Sequence, residues 1–335
     1  MHFAFTDEQE MIADTARAFF AERATNERTR AAMAEDGIDR ALWQSFCQEL
    51  GLGGLIIPEA HGGSGLGMVE FASIAEAAGY HVAALPLLGL ATVGRAVVAG
   101  GSPQQQAEWL PGLASGEVIA SFADSALVPY GARADLFLMI DQDNARLLGR
   151  DDVEVTPLTT MDQTRPLARV QAKAGAGEAL SDGKAALAAA TEGGWICLAA
   201  EALGGAQACL DRTVAYAKER IQFGRPIGSF QAYKHRLADM MIAIEEARSA
   251  VYWAACAVDE AAADKAYALH GAKQLAADVY FKCAGDMIQL HGGIGFTWEH
   301  DAHLFFKRAR SIQTLMGEGA AHREAIATML MGEAA

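Results

Sequence analysis

The alternation of apolar and polar positions divides the 335-residue chain into three textures. Up to residue 118 it reads as helical. Thr6 followed by Gln9 is a capping-box start. Ile12, Thr15, Ala16 and Phe19 then recur at i, i+3, i+4 and i+7, the stripe of a buried helix face. Asp39 opens a second helix through Trp43 and Phe46, which Gly51 and Gly53 end. Beyond the turn-rich segment Pro58–Gly67, a third helix is expected over Met68–Ala78, and another over Pro103–Leu110, stopped by Pro111–Gly112. Between 119 and 182 short apolar or alternating runs take over, at Leu136–Ile140, Ala145–Leu148, Val153–Pro157 and Leu167–Ala172, separated by Asp, Asn and Gly. These are strand and hairpin signals. From 183 to the end, Ala-rich periodicity predicts helices near 183–220, 229–261, 264–290 and 317–331, the pattern of a four-helix bundle. The fold class is thus mainly α with a small central β domain, in three parts: 1–118 helical, 119–182 β, 183–335 a helical bundle.

Composition narrows the classes. Hydrophobic residues make up 52% of the chain, enough for a large core. The apolar stretch Val82–Val98 is broken by Pro86, Gly89, Gly94 and Arg95, short of the ~20 apolar residues of a membrane span. The acidic start, with Asp7, Glu8 and Glu10, is unlike a secretion signal or transit peptide, so a cytoplasmic, membrane-free protein is expected. The five cysteines, Cys47, Cys197, Cys209, Cys256 and Cys283, are scattered without a C-x-x-C pair, which suits buried reduced thiols and offers no metal site. A net charge of −15 argues against nucleic acid as a partner, and any anionic ligand must be held by local positive groups.

Two segments carry candidate chemistry. In Asp211–Met240 a helix ends near Arg220, a turn with Gly224, Pro226 and Gly228 follows, and Gln231 opens the next helix. A guanidinium there can pair with a phosphate, Gln231 can donate and accept beside it, and Phe223 can cover an aromatic ring. From the turn alone, a plain solvated helix–turn–helix is the simpler reading. The second segment, Gln289–Phe296, reads QLHGGIGF. Gly292 and Gly293 let a backbone approach a ligand closely, as a pyrophosphate requires, although Gly-Gly pairs are also common loop elements. His291 reads as structural.

Taken together, the segments resemble the acyl-CoA dehydrogenase family, whose C-terminal domain has an R-x-x-F-G turn, a helix-opening Gln and a later Q-x-x-G-G-x-G loop. Here these are Arg220, Phe223 and Gly224, then Gln231, then Gln289, Gly292, Gly293 and Gly295. FTDEQEMIADTARAFF and LGLGGLIIPEAHGGSGLGMVEFASIAEAAG are similar to the family's N-terminal domain. The resemblance implies an N-terminal helical domain, a middle β domain and a C-terminal bundle, with FAD as cofactor and an acyl-CoA thioester as substrate. The Arg, Gln and Gly-Gly elements would serve the ADP half of an FAD held mainly by a neighbouring subunit, which implies a dimer or dimer of dimers. An electron-transfer flavoprotein is the implied electron acceptor.

The chain departs from the family where a carboxylate removes the proton α to the thioester carbonyl. The usual base position, counted from Gly292, is Met316, with Glu318 two residues beyond; the alternative position is Gly194, with Glu192 two residues off. Glu318 and Glu192 are therefore out-of-register candidates for the base. The family's T-E-x-x-x-G-S-D segment corresponds to Ala120–Ser125, where Ser121 and Ser125 are candidate flavin contacts or ordinary strand-end serines, and its W-I-T/S-N segment has no counterpart. Three readings result: a self-sufficient enzyme using Glu318, a partner subunit similar to those of the α2β2 acyl-CoA dehydrogenases of bacterial steroid degradation, or a flavin-free scaffold.

Overall fold

The structure is a computed structural model that describes residues 4–141 and 144–332. Helices α1 (Asp7–Arg23), α2 (Asn26–Glu35), α3 (Arg40–Gln44), α4 (Met68–Tyr80), α5 (Leu87–Gly89), α6 (Arg95–Gly100) and α7 (Pro103–Ser115) come first. Strands β1 (Ala120–Ala123), β2 (Leu127–Pro129), β3 (Leu136–Asp141), β4 (Asn144–Gly149), β5 (Val153–Pro157), β6 (Leu167–Ala172) and β7 (Glu178–Ala179) follow. Then come α8 (Gly183–Glu219), the short strands β8 (Ile221–Gln222) and β9 (Arg225–Pro226), and helices α9 (Gln231–Asp259), α10 (Lys265–His291), α11 (Ala302–Thr314) and α12 (Gly319–Met331). They form two compact units: Met1–Glu22, Ala72–Ala83 and Leu198–Ala335 make one, and Arg23–Phe71 with Ala84–Cys197 make the other.

In the second unit, Asp39 caps α3 by accepting from the Leu42 amide at 3.0 Å, and Arg28 of α2 grips the same carboxylate with two hydrogen bonds of 2.7 and 2.8 Å. Helix α2 has no counterpart in the sequence reading. The expected stop at Pro111 is also corrected: α7 runs through it to Ser115. Proline inside a helix loses one backbone bond and crowds the preceding turn. Burial of Leu110, Leu113 and Ala114 on the inner face offsets that cost, and Gly116 at φ +75° makes the actual stop. Helices α5 and α6 are joined by a π-helical turn, Leu90–Gly94, across the stretch that the sequence presents as broken.

All four anticipated strands form. β3 and β4 pair antiparallel, as do β5 and β6, and β1 lies parallel to β3 with Ala120 opposite Leu136. The sheets run β1-β3-β4-β7 and β2-β6-β5. Phe137, Leu148, Val128, Val153, Ala168 and Val170 form the core of this region.

In the first unit, α4 and α8 touch backbone to backbone. A Cβ on Gly79 would stand 2.2 Å from the Glu201 carbonyl oxygen, and one on Gly204 would stand 1.9 Å from that of Glu76. The inner face of α1 is Ala13, Ala16, Phe19 and Phe20 rather than a stripe through Ile12 and Thr15; Thr15 is exposed and returns its hydroxyl to the Met11 carbonyl at 2.8 Å. A fifth C-terminal helix, α11, fills the interval 302–314 that the sequence reading left as connection. It is fastened to α8 by Arg308 and Glu201, 3.0 Å apart and 2% and 4% exposed at their side chains. Helix α8 is the one helix among the described residues long and apolar enough to cross a membrane by length and composition, and 72% of its most apolar window is buried in the protein. All five cysteines are free thiols.

Candidate functional site

Where α8 ends, the chain makes a small hairpin rather than a simple inter-helix turn. Ile221 pairs with Pro226 and Gln222 with Arg225, and the Ile227 amide returns to the Arg220 carbonyl at 2.8 Å. The two turn residues, Phe223 and Gly224, have φ of +54° and +75°. A two-residue hairpin turn with both central residues left-handed is favoured by strand twist, and glycine suits the second position. Phe223 is 92% exposed at the tip. Phe230, at the cap position of α9, has no side-chain acceptor, so the first amides of α9 receive no side-chain cap. Arg220 and Gln231 are both exposed at the base of the hairpin, with Lys218, Arg225 and Lys234 also exposed nearby in the chain. This basic stretch is the local positive surface that an anion requires in a chain of net charge −15.

The second segment begins at the end of α10. Gly292 has φ +66° and ψ −144°, a conformation open to glycine alone, and the short turn Gly292–Phe296 follows. A Cβ on Gly292 or Gly293 would meet nothing within 4 Å. Both glycines therefore face open space, and a ligand can approach their backbone. Gly295 differs: it is buried, and a Cβ there would stand 2.8 Å from the Ile288 carbonyl oxygen. It serves packing within the turn. Gln289 is exposed. His291 is buried, its Nδ1 2.7 Å from the Met287 carbonyl and its ring stacked on Tyr216 at 4.4 Å. Burial first, and His300 nearby, hold its pKa below the ordinary histidine value despite that carbonyl contact.

Two tyrosines that sequence reasoning did not single out bring the segments together. Tyr216, one turn before Arg220, donates to the His291 carbonyl at 3.4 Å; Tyr233, two residues after Gln231, donates to the Leu290 carbonyl at 3.0 Å. Both sides of the hairpin are thus tied to the last turn of α10, immediately before Gly292. The sequence signal for this was slight: each tyrosine lies a turn or less from a motif residue, in a helix otherwise read for its ends.

Comparison with known proteins agrees with this architecture. Residues 6–117 match the family model for the acyl-CoA dehydrogenase N-terminal domain, and residues 181–331 match that for the acyl-CoA dehydrogenase C-terminal domain. The chain is 38% identical to acyl-CoA dehydrogenase IpdE2 of Mycobacterium tuberculosis, across 92% of this chain and 93% of that one. The chain belongs to the acyl-CoA dehydrogenase family. Among solved acyl-CoA dehydrogenase structures, a variant of the Tcur3481–Tcur3483 steroid ACAD is similar at TM-score 0.88 and 29% identity, covering 97% of this chain and 98% of that one. The ChsE4–ChsE5 complex of Mycobacterium tuberculosis is similar at TM-score 0.91 and 26% identity over the full length of both chains. FAD is the cofactor of the family. The residues here fit its ADP half: an exposed guanidinium, uncapped helix amides and two open glycines suit a pyrophosphate.

The residues around the candidate base positions are arranged differently. Met316, where the resemblance expects the base, is half-buried with φ +54° in the loop between α11 and α12. Glu318 is exposed at the start of α12, and its side chain makes no capping bond. Glu192 lies in the other unit, 3.3 Å from Arg95, whose Nε also donates to the Ala189 carbonyl. Ser121 is buried in β1 and donates its hydroxyl to the Pro129 carbonyl, while Ser125 is exposed and exchanges hydrogen bonds with Leu127 in the turn between β1 and β2. Ser121 thus directs its donor into the β region, and Ser125 stabilises a turn.

Proposed function

We propose that this chain is the partner subunit of a mixed acyl-CoA dehydrogenase, in which it receives the ADP half of FAD and a companion chain supplies the base and the flavin-ring contacts. The observation that carries this reading is the contrast within one unit: Arg220, Gln231, Gly292 and Gly293 are accessible and tied together, whereas the base position holds a methionine. Arg220 would pair with a phosphate oxygen through directed hydrogen bonds, the Gly292–Gly293 backbone would approach the pyrophosphate, and Phe223 would cover an aromatic ring. When bound, the flavin accepts the hydride lost from the β-carbon of the acyl thioester. A carboxylate on the companion takes the α-proton, since Met316 cannot. Relatives described as a steroid ACAD and as a two-protein complex support a bulky polycyclic acyl-CoA as substrate and a mixed oligomer as the working form. An electron-transfer flavoprotein in the cytoplasm would take the electrons.

Co-expression with candidate companions tests the reading. The lone chain is expected to purify colourless and the pair yellow, with bleaching on addition of acyl-CoA. A lone chain that binds FAD stoichiometrically and oxidises acyl-CoA overturns it and favours a self-sufficient enzyme, in which Glu318→Gln would abolish bleaching without loss of flavin. In the pair, Arg220→Ala is expected to weaken flavin retention by roughly 10- to 100-fold, the worth of a hydrogen bond to a charged group. No change in flavin or activity in any complex would point instead to a scaffold.

A further inference from the structure

The loop that joins α11 to α12 rests on three basic side chains: His270 and Lys273 on α10, and His322 on α12. Nδ1 of His270 and Nδ1 of His322 are 2.9 Å apart, and their ring centroids are 5.1 Å apart. At that distance one ring must donate and the other accept. Lys273, 1% exposed, donates from Nζ to the Ile312 carbonyl at 2.9 Å, in the last turn of α11. His322 is 2% exposed and lies directly under the loop: a Cβ on Gly317 would stand 3.0 Å from its Nε2. Above it, Met316 and Gly317 hold φ of +54° and +104°. A methionine in the left-handed region is strained and persists only where its surroundings determine it.

The charged groups on the packed elements favour a neutral ring pair. Burial, then Lys273 and His270, push His322 down to about 4 against hydrogen bonding to the backbone of Gly317 and Met316, and burial lowers His270 as well. Of the two acids on α10, Asp278 is taken up by Gln274 at 2.9 Å, by Gln313 of α11 at 2.8 Å and by Arg323 of α12 at 3.4 Å, and Asp286 pairs with Arg236 of α9 at 3.2 Å. Glu318, on the loop side of α12, is exposed.

We propose that His270 and His322 are a positioning pair that fixes the loop 315–318, and that a second proton on the pair releases it. One shared proton satisfies the Nδ1–Nδ1 contact. With both rings protonated at both nitrogens, a pair of N–H donors would face each other beside the Lys273 ammonium, three like charges in a largely buried site. Lys273 is anchored to α11, so the loop and the first turn of α12 are the parts that move. Both histidines are depressed below 6.5, so the stabilisation is complete above that value and is lost as pH falls through the folded values toward about 4. The bearing on catalysis rests on the reading above, because residue 316 is the family's base position; the clamp itself does not.

Hydrogen–deuterium exchange on the full chain, corrected for intrinsic rates, tests it without flavin or companion, so failure here leaves the proposed function standing. Protection of 312–322 should fall about tenfold from neutral pH to about pH 5, while that of the α9 interior stays constant. His322→Gln, which hydrogen-bonds without titrating, should keep the protection and lose its pH dependence. Constant protection in the unaltered chain, or equal acid-induced loss in the variant, overturns the proposal. Should the variant fail to fold, ring titration of the unaltered chain by NMR decides: both histidines must titrate below 6.5. An ordinary value for either one overturns it.

Discussion

The Tyr233 hydroxyl donates to the Leu290 carbonyl across 3.0 Å, joining the helix that Gln231 opens to the last turn before Gly292. Phenylalanine at 233 keeps the ring and removes this bond. The expected result is about 1 kcal/mol of lost organisation, or roughly fivefold weaker flavin binding in the assembled complex, with secondary structure unchanged. A flavin fluorescence titration measures it; equal affinities would show that the two segments act independently.

Gly293 and Gly295 separate ligand access from packing. Gly293→Ala meets no neighbour within 4 Å, so thermal stability should hold while flavin retention falls. Gly295→Ala meets the Ile288 carbonyl and should lower the melting temperature. Melting curves and flavin content, taken together, distinguish the two. A Gly293→Ala protein with full flavin content would remove that glycine from the site.

The buried pair Arg308–Glu201 is expected to matter more when halved than when removed. Glu201→Ala removes the carboxylate facing a buried guanidinium and should cost ~3–5 kcal/mol. Replacing both residues with methionine should recover most of that loss. Denaturant unfolding of the single and double variants gives the comparison, and a double variant as unstable as the single would contradict it.

Asp39 makes a pH-dependent contribution. Burial alone would raise its pKa, but the hydrogen bond from Arg28, the amides of Leu42 and Ala41 and the Arg28 charge outweigh it and leave the value below 3.8. The stabilisation is therefore full above 3.8 and lost as pH falls through the lower folded value. Asn at 39 keeps the cap but not the charge, so Asp39→Asn should cost ~1 kcal/mol or less at pH 7, because Arg28 is partly exposed. The difference should vanish in strong acid; a constant difference across an unfolding series in pH would sink this.

Much of the architecture can be read directly from the residues. The four short apolar or alternating runs at 136–172 all become strands, and the long Ala-rich periodicities become α8, α9 and α10. What was not legible has local causes. Helix α11 carries Arg308 on the same face as Phe305, Ala309 and Ile312, and a charge in the buried stripe disguises a helix until its partner, Glu201, 107 residues away, is known. Pro111 reads as a stop because the benefit of continuing, burial of Leu113 and Ala114, comes from other segments.

The sequence by itself determined the family and its FAD, and nominated Arg220, Gln231, Gly292 and Gly293 as candidates for the phosphate side, because arginine, glutamine and paired glycines at fixed spacing depend on local backbone and side-chain chemistry. Only the tertiary structure decided which of them lie together. Tyr216 and Tyr233 reach across 75 and 57 residues, Gly295 turns inward while Gly292 and Gly293 open outward, and Gly317 lies against a histidine pair drawn from two helices. Contacts between distant segments depend on how helices pack, and a one-dimensional pattern records the period of each helix but not its neighbour.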